Sequence, residues 1–353
     1  MGLPGFVPTP AQMPRSGPTR MKALIVGGGS IGKRHLQNLK ALGSVELGLV
    51  ETDSKRRDAI RELGAIEFKD LSDGLHWSPD FAVVSTPSHL HMQQALQVVR
   101  YGCDVFVEKP LSHTPDGLAG LSELVERNKL ISLVGCNMRF HPGPLKVKEL
   151  LQEGLLGKIL FARIHAGSYL PSWRPGTDYR DNYAAREETG GGCILDGVHE
   201  IDLARWYLGE VREVFCIADH LSSLEISTED VAVLLCRHSN SAVSEIHLDY
   251  VQRTYERGCH IVGERGSISW NFNSKQVRFC DSNGECTTFP QPADWQLNQM
   301  YMDEMRHFLD CVCSRNATTL SIPDAVGVMQ IVFAAKASNR QGRMVPVEDT
   351  TPT

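Results

Sequence analysis

Three short groups of residues carry most of the chemistry in this chain. Lys109 stands between Glu108 and Pro110, a triplet that follows the strand-like run 104–107. Asp196 and His199 lie three residues apart, behind Gly190, Gly191 and Gly192 and ahead of helix-like sequence. Gly27, Gly29 and Gly32 make a G-x-G-x-x-G loop that contains Ser30 and Ile31. An ammonium, an imidazole and a carboxylate can take a proton from a hydroxyl while a cation steadies the developing alkoxide. His199 suits the proton, since an unperturbed imidazole titrates near ~6.5. Lys109 suits the cationic part, and burial would lower its pKa toward a share in proton transfer. Run backwards, the same groups protonate a ketone.

These groups need elements to aim them. A short apolar strand over 22–26 runs straight into the glycine loop, and a helix over 33–42 follows, stopped by Gly43. In that context the glycines let the backbone close on a pyrophosphate, which the helix N-terminus stabilises. Glu51, nineteen residues past Gly32, ends a second strand over 45–50, where an acid bonds both ribose hydroxyls. A carboxylate there repels the 2′-phosphate of NADP and favours NAD. Asp53 is a second candidate, and Lys55, Arg56 and Arg57 keep NADP open. Glycines that merely turn the chain, and a related fold for S-adenosylmethionine, are the competing readings.

Helices over 55–63, 90–101 and 117–128 alternate with strands over 81–85, 105–107 and 131–135. Such alternation calls for a parallel sheet with right-handed crossovers. Near residue 143 the pattern changes. A helix over 144–154 and a strand over 160–165 precede a long polar, aromatic-rich stretch, 167–192, and a helix over 196–208. From 211 to about 290 apolar and polar residues alternate between turns, the signature of an open, predominantly antiparallel sheet with one covered face. Helices over 296–314 and 324–340 close the sequence. The expected division is a disordered extension over 1–20, a nucleotide domain over 21–142, and an α+β domain over 143–353. The second domain serves substrate and oligomer contacts, with its last helices packed back on the first.

Composition removes several classes of function. The net charge is −6 and no long basic stretch occurs, which argues against nucleic acid. No apolar run approaches the roughly 20 residues that span a bilayer. Residues 1–20 are rich in proline and glycine and lack the apolar core of a secretory signal. Met1-Gly2 opens like a myristoylation site, but Phe6 stands where serine or threonine is needed. The ten cysteines are scattered singly, which predicts reduced, buried thiols in a cytoplasmic protein. Cys280 and Cys286 could meet across a hairpin, but neither a disulfide there nor a metal site is expected.

Taken together, these motifs resemble the glucose-fructose oxidoreductase/inositol dehydrogenase family from residue 21 to the C-terminus. The resemblance rests on Gly27 to Gly32, on Thr86-Pro87-Ser88-His89-Leu90-His91 and on Glu108-Lys109-Pro110. It continues through Gly135-Cys136-Asn137-Met138-Arg139-Phe140 and the block 190–202. It implies an N-terminal Rossmann domain holding NAD(P) and a sheet-based domain holding a sugar, polyol or nucleotide sugar, assembled as a homodimer or homotetramer. The segment from Ser168 through Trp173, Arg174, Asp178, Tyr179 and Arg180 resembles a subgroup of bacterial surface-sugar and nonulosonate pathways.

Carried over residue by residue, the resemblance makes Lys109, His199 and Asp196 catalytic, with a cis Lys109–Pro110 bond aiming the lysine. It sets Thr86 and Pro87 on the cofactor side, His91 and Asn137 near the nicotinamide, and Glu108 on its ribose. Arg139, Trp173, Arg174 and Tyr179 join Lys109, Asp196 and His199 on the substrate side. Aromatics there would stack on a sugar ring, and arginine would suit a carboxylate or phosphate. Many members space the acid and the histidine four apart. The spacing of three keeps both on one helical face, and leaves Asp196 open between substrate contact and a helix-terminus acid. The implied activity is hydride transfer between NAD(P) and a secondary alcohol or ketone. Two alternatives are a tightly bound NAD used as a hydride shuttle in non-redox chemistry, and a dinucleotide-binding regulator. Regulators of this kind tend to lose the lysine or the histidine, and both are present.

Overall fold

The computed structural model describes residues 20–43 and 45–347, so the extension expected over 1–20 lies outside the described residues except for Arg20. The first half builds β1 (Met21–Val26), α1 (Ser30–Leu42), β2 (Val45–Val50), α2 (Ser54–Ile60), β3 (Ile66–Phe68) and α3 (Leu71–His76). It continues with β4 (Phe81–Val84), α4 (Ser88–Arg100), β5 (Asp104–Glu108), α5 (Leu118–Arg127) and β6 (Ser132–Gly135). All six strands are parallel, in the order β3-β2-β1-β4-β5-β6. Their order reverses between β1 and β4, which opens a crevice at the strand ends where the glycine loop leaves β1. β4 is wholly apolar and buried, as is β1 from Ala23 to Val26, because helices cover both faces.

β3 and α3 have no counterpart in the sequence pattern. β3 is three residues long with Ile66 and Glu67 exposed, so no alternation marks it. Asp70 caps α3 by accepting the Asp73 amide at 3.0 Å.

The second half holds α6 (Pro142–Gln152), β7 (Ile159–Gly167), α7 (Cys193–Asp196), α8 (Val198–Leu208), β8 (Val211–Asp219), β9 (Val231–His238) and β10 (Val243–Asp249). β11 (Glu256–Gly263), β12 (Gly266–Asn271), β13 (Gln276–Asp281), β14 (Cys286–Pro290), α9 (Asn298–Ser314), α10 (Ile322–Gln341) and β15 (Val345–Pro346) complete it. Nine strands form one sheet in the order β14-β13-β12-β11-β7-β10-β9-β8-β15. Every pair is antiparallel except β7 with β10. Burial alternates as expected: on β9 Ala232, Leu234 and Cys236 point inward, against the face covered by α8 and α10. The opposite face leaves Phe161, Ile217, Leu235 and Val243 exposed.

The closing helices return to the first sheet. Phe308 of α9 sets its ring edge-on to Phe81 at 5.4 Å and to Phe106 at 5.7 Å. α10 bonds β8 through its side chains: the Ser338 hydroxyl accepts the Cys216 amide at 3.0 Å, and Asn339 both accepts from and donates to the Ala218 backbone.

The expectation for Cys280 and Cys286 is overturned. Residues 280 and 286 are direct cross-strand partners in the β13–β14 hairpin, with Cα atoms 4.1 Å apart, and their sulfurs are bonded. The register of the hairpin, fixed by a turn in which the Asp281 amide donates to the Glu285 carbonyl, brings them together. The other eight cysteines are free, seven of them buried and Cys313 exposed.

Candidate active site

The loop after β1 is built for close approach. Gly27 sits at φ +98°, and a Cβ on Gly32 would lie 1.9 Å from the Gly27 carbonyl oxygen, so α1 can start directly under the strand. A Cβ on Gly29 would meet nothing within 4 Å, which leaves open space in front of the loop. No side chain caps α1 and no acid stands in its first turn, so the amides at Ser30 and Ile31 face that space beside a positive helix end. Glu51 ends β2 beside the loop: one oxygen accepts the Gly28 amide at 2.7 Å, the other the Asp53 amide at 2.8 Å. Spare lone pairs on both oxygens can take ribose hydroxyls. Asp53 is occupied differently, capping α2 through the Arg56 amide at 3.1 Å. The residues present therefore fit a dinucleotide.

The strand ends next door carry the second group. Thr86 donates its hydroxyl to Gln94 at 2.6 Å, and Pro87 precedes α4. The buried His91 lies with its two ring nitrogens 2.8 Å from the Pro110 and Thr86 carbonyls, lacing the β4 turn to the β5 turn. Burial pushes its pKa down while the two carbonyls oppose that. Its ring is engaged inside the protein and does not line the cleft. Glu108 is 2.7 Å from His35 Nε2 and accepts the Lys109 amide at 3.2 Å. Asn137 is buried beside Tyr301 of α9. The Lys109–Pro110 peptide is cis.

Lys109 leaves the first domain and enters a cleft of roughly 480 Å³ lined otherwise by the second domain, including Tyr301 of α9. Its Nζ donates to Oδ1 and to the backbone oxygen of Asp196, both at 3.3 Å. Two phenols complete that carboxylate: Tyr183 donates to Oδ1 at 2.7 Å and Tyr250 to Oδ2 at 2.5 Å. Burial, and then the charge of Asp196, raise both phenol pKa values, so both remain donors. Burial alone would lower the Lys109 pKa, but the carboxylates of Asp196 and Glu108 help to more than reverse it. The expected lowering is therefore corrected: the ammonium stays charged.

His199 opens on the same cleft, 7% exposed, with Nδ1 unpartnered. Burial, then the cations Lys109 and Arg257, hold its pKa well below the ordinary value, so the imidazole is neutral at pH 7. Asp196 and His199 do not share one helix. Gly197 separates α7 from α8, because a Cβ there would strike Leu248 at 2.5 Å and the chain must turn beneath β10. Both still face the cleft.

Trp173 and Arg174 line the cleft, and Trp173 stands edge-on to Tyr250 at 5.3 Å with its Nε1 donating to Ser168 at 2.8 Å. Two expected substrate contacts fall elsewhere. Arg139 is buried, its guanidinium paired with both Asp202 oxygens at 2.6 and 2.8 Å and bonded to the Thr319 carbonyl, so it joins α8 to the loop before α10. Tyr179 lies outside the cleft lining, its hydroxyl accepting the Glu225 amide at 3.0 Å. Tyr250, Tyr255 and Arg257 complete the lining without any sequence signal of their own. Parallel pairing sets Gly167 abreast of Asp249, so Ser168 and Tyr250 leave β7 and β10 side by side. Arg257 of β11 pairs with the buried Glu200 of α8; Nε to Oε1 is 2.8 Å but off-axis, and the aligned bond is Nη2 to Oε2 at 3.3 Å.

A doubly wound parallel sheet with a glycine loop, and a lysine projecting from it into a cleft on a second sheet domain, define a dinucleotide-dependent oxidoreductase. Residues 21–136 match the family model for oxidoreductases with an NAD-binding Rossmann fold, and residues 145–269 match the GFO/IDH/MocA C-terminal domain. The chain belongs to the GFO/IDH/MocA family, whose members include NAD-linked sugar and polyol dehydrogenases. It is 28% identical to the myo-inositol 2-dehydrogenase of Thermotoga maritima over 348 residues, covering 93% of this chain and 99% of that one. The structure of GenD2 from gentamicin A biosynthesis, in complex with NAD, superposes with a TM-score of 0.81 at 25% identity, covering 98% and 100%. The WlbA dehydrogenase of Bordetella pertussis, in complex with NADH and UDP-GlcNAcA, gives 0.81 at 22% identity, covering 94% and 98%.

Proposed function

We propose that this enzyme moves a hydride between NAD and a secondary alcohol or ketone of a sugar, polyol or nucleotide-sugar derivative. The carrying observation is Lys109, which leaves the end of a nucleotide-sheet strand and meets Asp196 of the second domain in the cleft that His199 also lines. NAD supplies the hydride acceptor and donor at its nicotinamide ring. Lys109, held charged and oriented by Asp196, donates to the reacting oxygen and makes its hydroxyl more acidic. His199, neutral at working pH, takes the proton in oxidation and returns it in reduction. Tyr183 and Tyr250 keep the Asp196 carboxylate turned toward Lys109, while Trp173 offers an aromatic face for a ring. The Thermotoga relative, named for a polyol, supports a substrate of this class.

The test is turnover of NAD with a panel of sugars, polyols and sugar nucleotides. Lys109→Ala and His199→Ala should each lower kcat/KM by about 10²–10⁴-fold. Wild-type rates in both variants would sink the assignment. Because the His199 pKa lies below 6.5, the acid limb of the wild-type oxidation profile should fall below that pH. The exposed face bearing Phe161, Ile217, Leu235 and Val243 supports a homodimer or homotetramer, which light scattering would read directly; a monomer at working concentration would count against it.

A further inference from the structure

The loop over 167–192 carries three guanidinium groups and neutralises two of them itself. Arg180 is forked onto Asp178, with Nε 2.9 Å from both oxygens and Nη2 at 2.6 Å, and its Nη1 reaches Glu225 at 2.8 Å. Arg186 bonds Asp181 and the Arg180 carbonyl, each at 3.1 Å. Arg174 has neither a hydrogen bond nor an ion pair from its side chain among the described residues, and it is the one of the three that lines the cleft. The other charges in the lining are matched. Lys109 faces Asp196, Arg257 faces Glu200, and Asp249 faces His247 at 2.9 Å. One positive charge therefore stands uncompensated at the exposed end of a cleft whose inner end holds the buried His199.

We propose that Arg174 selects the substrate by taking an anionic substituent, a carboxylate or a phosphate, so that the cleft favours acidic sugars over their neutral counterparts. The proposal rests on the reading of this cleft as the substrate site. A guanidinium fork matches the planar carboxylate and the tetrahedral phosphate alike, and an arginine already tied to a protein acid, like Arg180, could serve neither. The neighbouring Trp173 would stack the ring between that anion and the reacting carbon, separating the group that selects from the groups that react.

Calorimetry on the full chain loaded with NADH can read this selection without turnover, using glucuronate, glucose 1-phosphate and glucose as probes. At least one anionic probe should bind about tenfold or more tighter than glucose, the scale of one charge-assisted bond. The Arg174→Ala variant should bring that ratio close to one, while Arg174→Lys, a point charge without the fork, should restore part of it. Which anion gains identifies the substituent. Glucose binding as tightly as both anions, no binding by either anion, or an unchanged preference in Arg174→Ala would each overturn the proposal. None of these outcomes touches Lys109 or His199, whose failure would appear in turnover alone.

Discussion

The two halves of the candidate site, the nucleotide loop and the cleft beyond Lys109, hold polar groups by opposite means. At the nucleotide end the chain presents backbone: amides at the start of α1, space where Gly29 has no Cβ, and one carboxylate, Glu51, pinned by two amides. At the substrate end it presents side chains gathered from strand ends, two short helices and a long loop, with Asp196 at their centre. A site made of backbone is damaged by added atoms. A site made of side chains is damaged by exchanging one functional group. The two ends should therefore respond to different kinds of substitution.

Asp196→Asn probes the substrate end and should have the largest effect. The carboxylate accepts from two phenols and an ammonium; an amide in its place offers one acceptor oxygen and turns an NH2 toward a donor. Lys109 would lose its counter-ion and its aim. We expect kcat/KM to fall about 100-fold, near 2.7 kcal/mol, with NAD affinity little altered. Unchanged kcat/KM would show that Asp196 only fills space. Gly32→Ala probes the other end. Its added Cβ, 1.9 Å from a backbone oxygen, forces α1 away from β1, and we expect about 2 kcal/mol of lost stability together with weaker NAD binding. If the melting temperature dropped while NAD affinity held, the loop would not be the cofactor's seat.

The same contrast explains how much the sequence revealed. The glycine loop, Glu51 and the Lys109 turn are adjacent in the chain to the strands that aim them, so local pattern suffices. Asp196 and His199 were visible as a pair, but the break at Gly197 was not, because it answers to Leu248 of a distant strand. Tyr250 and Arg257 become site residues only through the pairing of β7 with β10 and β11, which joins segments far apart in the chain. β3 was hidden for another reason, being three residues long with no alternation, whereas Cys280 and Cys286 were visible as hairpin neighbours and only their direct cross-strand register decides that they bond. Arg139 misled in the other direction: it lies among site motifs in the chain, yet the fold spends it on Asp202.

His141, at the junction of the two halves, offers a smaller, pH-dependent effect. Its ring packs against Trp270, Phe272 and Trp295, and Nδ1 accepts the Gly143 amide at 3.1 Å at the start of α6. Burial, assisted by Arg257, lowers its pKa to about 4. Between the unfolded value near ~6.5 and about 4, the unfolded chain binds a proton that the folded chain refuses, so stability falls as pH falls through that window and is level above it. His141→Asn keeps a capping acceptor and removes the titration. Denaturant melts at pH 7 and 4.5 should show the variant losing about 2 kcal/mol less than the wild type over that interval. Other buried histidines contribute with the same sign in both proteins, so the difference isolates His141. Equal losses would mean that the ring is protonated in place.

Glu51 belongs to both descriptions at once, since it is a side chain whose partners are all backbone. It repels a 2′-phosphate by its charge, and it fixes the loop by accepting from Gly28 and Asp53. Glu51→Ala removes both effects and should shift the ratio of kcat/KM for NAD over NADP by about tenfold toward NADP, near 1.4 kcal/mol. Glu51→Gln separates them, because its amide oxygen still accepts one of the two amides without carrying charge. If the glutamine variant shifts the ratio as far as alanine does, repulsion sets the cofactor preference. If it keeps the wild-type ratio while alanine loses it, the pinned loop does. An unmoved ratio in both would leave the exposed Lys55 and Arg56 beside it as the groups that decide.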